Sequence, residues 1–173
     1  MEGAKTRHEL AWLPLPADWI VINSDGSVKQ PNSEAAAGGL LRNHLGRCVG
    51  AFVTNLGSCS ITRAEIIGAL TGLQLAWDQG HRKVLLRLDS TTALAILTGK
   101  DQESRRYHNL TRRFQNLLQR NWEVHLSHSY RECNKAADYL ANKAHGFSLG
   151  AHAIDISDPG LNFWTLYDTM GIT

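Results

Sequence analysis

The stretch Trp19-Ile-Val-Ile-Asn-Ser-Asp25-Gly-Ser27 sets the frame for the rest of the chain. Its apolar run at 19–22 reads as a short buried strand that ends in an acid. Burying a carboxylate there is costly unless something positive meets it. Asp-Gly is also a strong hairpin signal, so Asp25 has two readings, a turn or a functional carboxylate. The decision between them has to come from elsewhere in the sequence.

Beyond this strand, Lys29-Gln-Pro-Asn-Ser-Glu34 is a polar turn. Residues 37–42 and 47–54 read as two more strands around a turn at 43–46, and three sequential strands with short links predict an antiparallel meander. The period then changes. Ile66, Leu70, Leu73 and Trp77 recur at helical spacing over 64–77, with Gly80 just past the end. A second line, Glu65, Ala69, Gly72 and Ala76, lets that helix lie close on a sheet with Glu65 at its N-terminal end. Residues 83–88 form a strand that again runs into an acid, Asp89, and a short helix at 91–97 is stopped by Gly99.

A longer helix at 105–120 turns Tyr107, Leu110, Phe114 and Leu117 inward and carries Arg105, Arg106, Arg112, Arg113 and Arg120 as its charge. Residues 122–126 alternate as a half-buried strand. Asn134 then caps a helix packed through Ala137, Leu140, Ala141 and Ala144. The order β-β-β-α-β-α-α-β-α predicts an α/β fold: a mixed five-stranded sheet, three antiparallel strands then two parallel, flanked by helices.

Composition excludes more than it assigns. The 173 residues suit one sizeable core, and a net charge of +2 does not by itself announce a nucleic-acid binder. Cys48, Cys59 and Cys133 are odd in number and lack CxxC spacing, which points to reduced thiols in an intracellular protein. No apolar run approaches about 18 residues, so no membrane span is expected. Leu13-Pro-Leu-Pro16 makes 1–18 an extended tether, 19–146 is the expected domain, and 147–173 is a tail whose packing the pattern does not fix. Phe163, Leu166, Tyr167 and Met170 in that tail have the spacing of an amphipathic turn or two. A monomer is expected.

Four acids remain, each with a local explanation. Asp25 can be a turn former, Thr62-Arg-Ala-Glu65 fits a capping box, Asp89 can cap the short helix, and Asp138 can complement a helix dipole. Together they look different. Two end strands and two stand in the first turns of helices that pack on the same sheet, where chemistry collects at strand carboxyl ends. Carboxylates converging there would raise one another's pKa unless divalent cations fill the gap. Mg²⁺ or Mn²⁺ suits such oxygen donors, and a pair of ions can cleave a phosphodiester.

Four segments carry a resemblance: Asn23-Ser-Asp25-Gly-Ser27; Thr62-Arg-Ala-Glu65; Leu88-Asp89-Ser90; and Ser127-His128-Ser-Tyr-Arg-Glu-Cys-Asn134-Lys-Ala-Ala-Asp138-Tyr-Leu-Ala141. The last is the most specific, with His, Asn and Asp spaced by six and then four. From about Trp19 to Gly146 the chain resembles type 1 ribonuclease H, bacterial-like and retroviral. It most resembles the plant ribonuclease H-like domains related to non-LTR retroelement reverse transcriptases.

The resemblance implies a ribonuclease H-like fold and a nuclease that cuts the RNA strand of RNA–DNA hybrids with two Mg²⁺ (or Mn²⁺) ions. Asp25, Glu65, Asp89 and Asp138 would be the metal-binding catalytic carboxylates, with Asp25 bridging. His128 would assist proton transfer or product release, and Asn134 would position its loop and cap the last helix. Ser27, Ser60 and Thr62 match substrate-contacting positions, and Gly26 would leave room for a phosphate backbone. The chain departs from better-known members where Lys29–Glu34 replaces a glycine-rich turn, and where Ile61 and Thr62 replace paired amides. Both changes touch the surface expected to read RNA 2′-hydroxyls. A nuclease-fold module that binds nucleic acid or a protein partner without cutting is the alternative.

Overall fold

The computed structural model describes residues 15–171, so the expected tether lies outside the described residues up to residue 14. Eleven regular elements follow: β1 (Ile20–Lys29), β2 (Glu34–Arg42), β3 (Cys48–Ser58), α1 (Ile61–Asp78), β4 (Lys83–Leu88), α2 (Thr91–Leu97), α3 (His108–Leu118), β5 (Glu123–His128), α4 (Lys135–Lys143), β6 (Gly150–Ala153) and α5 (Pro159–Met170). They build one mixed sheet of order β5-β4-β1-β2-β3-β6. β1 pairs antiparallel with β2 and parallel with β4, and β5 extends the parallel side.

Adjacent strand residues point to opposite faces, and both faces of this sheet are covered. Ile20, Ile22 and Leu41 pack with Ile66, Leu70 and Leu73 of α1, with Ile96 of α2 and with Phe114 of α3. Ala36, Leu40, Ala51 and Val53 pack on the other face with Ala137 and Leu140 of α4 and Leu161 of α5. The stripe read over 105–120 is buried, with Tyr107, Leu110, Phe114 and Leu117 all interior. The tail stripe is not: Phe163, Leu166 and Met170 are exposed, and Leu161, Thr165 and Asp168 face inward instead. Among the described residues, no helix is long and apolar enough to cross a membrane.

The strand at the centre does not end where its apolar run ends. β1 continues through Asp25 and Gly26 to Lys29, paired all the way with β2, so Asp-Gly makes no hairpin. β4 leaves earlier: its last partner in β1 is Ser24, opposite Leu88. Asp25 therefore stands one residue beyond the parallel ladder, where β4 leaves β1.

The sheet has a sixth strand beyond the five expected. β6 comes from the tail and pairs antiparallel with β3, Val53 opposite His152. Its Gly-Ala-His-Ala sequence has neither branched side chains nor an apolar alternation, so pairing imposes its conformation. The tail then forms α5, twelve residues where a turn or two was expected, with Asp158 accepting the Leu161 N–H, Pro159 in the first turn and left-handed Gly171 at the end.

Close helix–sheet contact depends on missing side chains. Gly68 and Gly72 of α1 lie over Ala37 and Ile22. Gly38 of β2 faces α4, where a methyl group would overlap the backbone of Leu140 and Ala141. Gly38→Ala should therefore cost about 1–3 kcal/mol by overpacking, read from urea denaturation. A loss under about 0.5 kcal/mol would show that α4 is not seated this tightly.

Candidate active site

Carboxylate oxygens of Asp25, Glu65 and Asp89 lie within 4.8 Å of one another. The turn at Asp25 is absent because the strand runs through it, and the capping roles read for Thr62–Glu65 and Asp89 are taken over by neighbouring serines. Asp25 is inside a strand, 7% exposed, with the Gly26 N–H donating to its Oδ1 at 2.9 Å. α1 begins earlier than the capping-box reading requires, because Ser60 is its N-cap and accepts the Arg63 N–H at 3.2 Å. Glu65 falls past the first turn, buried, with Oε2 making no hydrogen bond. Asp89 does not cap α2 either; Ser90 does, accepting the Ala93 N–H at 3.0 Å.

Asp138 does lie in the first turn of α4, as the dipole reading has it. It sits on the exposed rim, with Asn142 Nδ2 3.3 Å from its Oδ1. It is not among the three groups that share the 4.8 Å sphere, although its charge reaches both Asp25 and Asp89.

Burial and mutual repulsion make this cluster reluctant to ionise. Burial, then Glu65 and Asp89, push Asp25 up to about 9. Burial and then Asp89 raise Glu65 to about 7, against the opposing pull of its hydrogen bond with Asp25 and of the Arg131 guanidinium. Burial also raises Asp89, opposed first by its hydrogen bond from Asn134 and then by Arg131. Three hard oxygen donors, one buried oxygen without a partner and unfavourable negative charge fit a divalent cation.

A family model described as Reverse transcriptase-like matches residues 23–144, which include all four acids. The chain belongs to this ribonuclease H-like family. It is 35% identical over 164 residues to a protein of Arabidopsis thaliana that bears a ribonuclease H name, covering 95% of this chain and 26% of that one. The chain thus spans about a quarter of that relative's length. Ribonuclease H1 of the archaeon Halobacterium salinarum is 28% identical, with a TM-score of 0.68 over 73% of this chain and 96% of that one. LC11-RNase H1, solved in complex with an RNA/DNA hybrid, shares the fold at 19% identity, TM-score 0.67, over 73% of this chain and 96% of that one. β6 and α5 lie beyond the family match.

Around the acids of this ribonuclease H-like chain, the other expected residues divide. His128 ends β5, exposed, with Nε2 3.1 Å from the Asp89 backbone oxygen, a contact that needs the ring proton on Nε2. Thr62 joins Ser90, Thr91, Thr92 and Arg131 around a recess of about 320 Å³ that also touches Glu65 and Asp89. Ser60 is occupied as a helix cap. Ser27 donates to Asn142 Oδ1 at 3.2 Å and lies 3.0 Å from His145 Nε2, so its hydroxyl ties β1 to the far end of α4. The space beside Gly26 is filled by Ala64 and Glu65 of α1, leaving none for a phosphate there.

Three contributors had no signal in the sequence. Arg131 reads as loop charge until the fold turns it toward Glu65 and Asp89. Arg42 ends a strand, where a solvated side chain is the default, yet it is 1% exposed and donates to Asn23 Oδ1 at 3.1 Å. Asp168 lies in the tail, 3% exposed, its Oδ2 3.6 Å from Arg42 Nη2.

The raised pKa values of Asp25 and Glu65 fix the sign of a linkage. Their contribution to stability is complete below the ordinary carboxylate range and is lost as pH rises through about 7 and about 9. In chelator the thermal midpoint should therefore fall between about pH 5 and pH 9, and the gain on adding Mg²⁺ should grow over that interval. Asp25→Asn should flatten both trends. A gain independent of pH in the native sequence would count against cation binding at these carboxylates.

Proposed function

We propose that the chain is a divalent-cation-dependent endonuclease that hydrolyses the RNA strand of RNA–DNA hybrids. The observation that carries this reading is the convergence of Asp25, Glu65 and Asp89 within 4.8 Å at the carboxyl end of the sheet. A hybrid substrate is supported by the likeness to a ribonuclease H1 solved with an RNA/DNA hybrid. Asp25, Glu65, Asp89 and Asp138 would hold Mg²⁺ or Mn²⁺, two ions in the manner of the family. When bound, such ions supply a water activated near neutral pH and Lewis-acid stabilisation of the phosphodiester.

The chain's own groups do the rest. Asp25 is held rigidly, because its backbone is paired with β2 and its Oδ1 is fixed by the Gly26 N–H. The hydroxyls of Thr62, Ser90, Thr91 and Thr92 and the Arg131 guanidinium line the adjoining recess and offer donors to a sugar–phosphate backbone. They suit recognition by shape and 2′-hydroxyl contacts, without base readout. His128, exposed and in contact with the Asp89 backbone oxygen, would deliver a proton to the departing 3′-oxygen, leaving 5′-phosphate and 3′-hydroxyl ends.

A labelled hybrid incubated with Mg²⁺, Mn²⁺ or chelator, beside duplex DNA, duplex RNA and single strands, tests the reading. Cation-dependent cutting of the hybrid's RNA strand is expected; binding without cutting would favour a module that only recognises nucleic acid. Asp89→Asn should keep the native circular dichroism spectrum and lose cleavage, and retained cleavage in purified variant protein would overturn the ligand assignment. His128→Ala should slow turnover while leaving cation affinity unchanged. An unaltered rate would put His128 outside the mechanism.

A further inference from the structure

The first backbone N–H groups of a helix need acceptors, and the N-cap side chain ordinarily supplies one. At α4 it does not. Asn134 occupies the N-cap position, is 1% exposed, and makes no side-chain bond to its own helix. Its Nδ2 instead donates to the Ser24 carbonyl at 3.1 Å and to Asp89 Oδ2 at 3.3 Å. The helix is capped from outside. Asp168 of α5 accepts the Lys135 N–H on Oδ1 and the Ala136 N–H on Oδ2, both at 2.9 Å.

We infer that Asp168 is a positioning residue for the carboxylate site: by capping α4 it frees Asn134 to hold Asp89 and β1. Two side chains compete for the same N-terminus. Without Asp168, the Lys135 and Ala136 N–H groups lose their acceptors, and the nearest replacement is the side-chain oxygen of Asn134 in its ordinary capping rotamer. An Asn134 turned to its own helix no longer donates to Asp89. Three features show the capping carboxylate to be built in. It is 3% exposed, it lies on the buried stripe of α5 with Leu161 and Thr165, and its Oδ2 faces the buried Arg42 guanidinium at 3.6 Å. Arg42 in turn donates to Asn23 of β1, so α5, β2, β1 and α4 meet in one polar cluster behind Asp89. The tail thus reaches the site from outside the segment the family match covers.

This inference rests on the nuclease reading, and one set of variants separates the two. Asp168→Asn keeps a single acceptor oxygen. Arg42→Leu with Asp168→Asn also removes the cation that would be stranded, and serves if the single variant does not fold. In cation-free protein, the Asn134 side-chain amide resonance should move from its native position in these variants. Mg²⁺ affinity, measured calorimetrically, should fall about 10–100-fold, with kcat for the hybrid falling and KM nearly unchanged. In an Asn134→Ala background the Asp168→Asn change should have almost no further effect on affinity. An unmoved Asn134 resonance, or effects of Asn134→Ala and Asp168→Asn that simply add, would overturn the inference. If the native protein neither binds Mg²⁺ nor cuts, the nuclease reading fails, and the resonance alone then decides the capping relay.

Discussion

β1 has two neighbours of unequal length, and the site follows from that mismatch. β2 accompanies it to Lys29, whereas β4 departs opposite Ser24. Asp25 is therefore held by a full antiparallel ladder on one side and faces an opening on the other, and Asp89 lies at the same opening because it is the residue after the end of β4. Helices must then cover both sheet faces. α1 arrives on one with Glu65 near its start, and α4 on the other with Asp138 in its first turn. Backbone pairing thus sets where charge accumulates before any side-chain contact is considered.

Accumulated charge has to be tolerated while the chain folds. Asp25 and Glu65 are both less than a tenth exposed, and Arg131, whose charge acts on Glu65 and Asp89, is itself exposed. Burial and mutual repulsion raise the carboxyls of Asp25 and Glu65, which favours their protonated forms, and Asp89 is fixed by an amide that carries no charge. On the opposite side of Asn134, Arg42 and Asp168 are buried together as an ion pair with further hydrogen bonds, the condition under which buried charge is tolerated.

Legibility in the sequence followed the range of the interactions. The order of the first nine elements, the stripes of α1, α3 and α4 and the acids at strand ends could be read because each depends on residues close in the chain, such as Ile66, Leu70 and Leu73 of α1. The tail stripe misled, because α5 buries Leu161, Thr165 and Asp168 and leaves Phe163 and Leu166 exposed. Asp-Gly misleads at Asp25 because a turn preference is local and weak against nine paired residues of β1 and β2. Thr62 and Asp89 look like caps, but the structure gives the role to serines one or two residues away, Ser60 and Ser90. What could not be read is long-range: β6 becomes a strand only by pairing with β3, and Asp168 becomes a helix cap only once α5 lies on α4.

The contact between Gly26 and α1 has a consequence for folding fidelity. Ser24 and Gly26 face α1, while Asp25 shares its side of the sheet with Gly38 and α4. A slip of one residue in the β1 pairing would exchange these faces, driving the Asp25 carboxylate toward Ala64 and the Glu65 backbone, where even a Cβ would lie only 3.0–3.3 Å from its neighbours. A mis-registered sheet is thus rejected by sterics at the very residue on which the site is centred. The close seat of α1 on β1 and the native register of β1 are thus one and the same condition for bringing Asp25 beside Glu65.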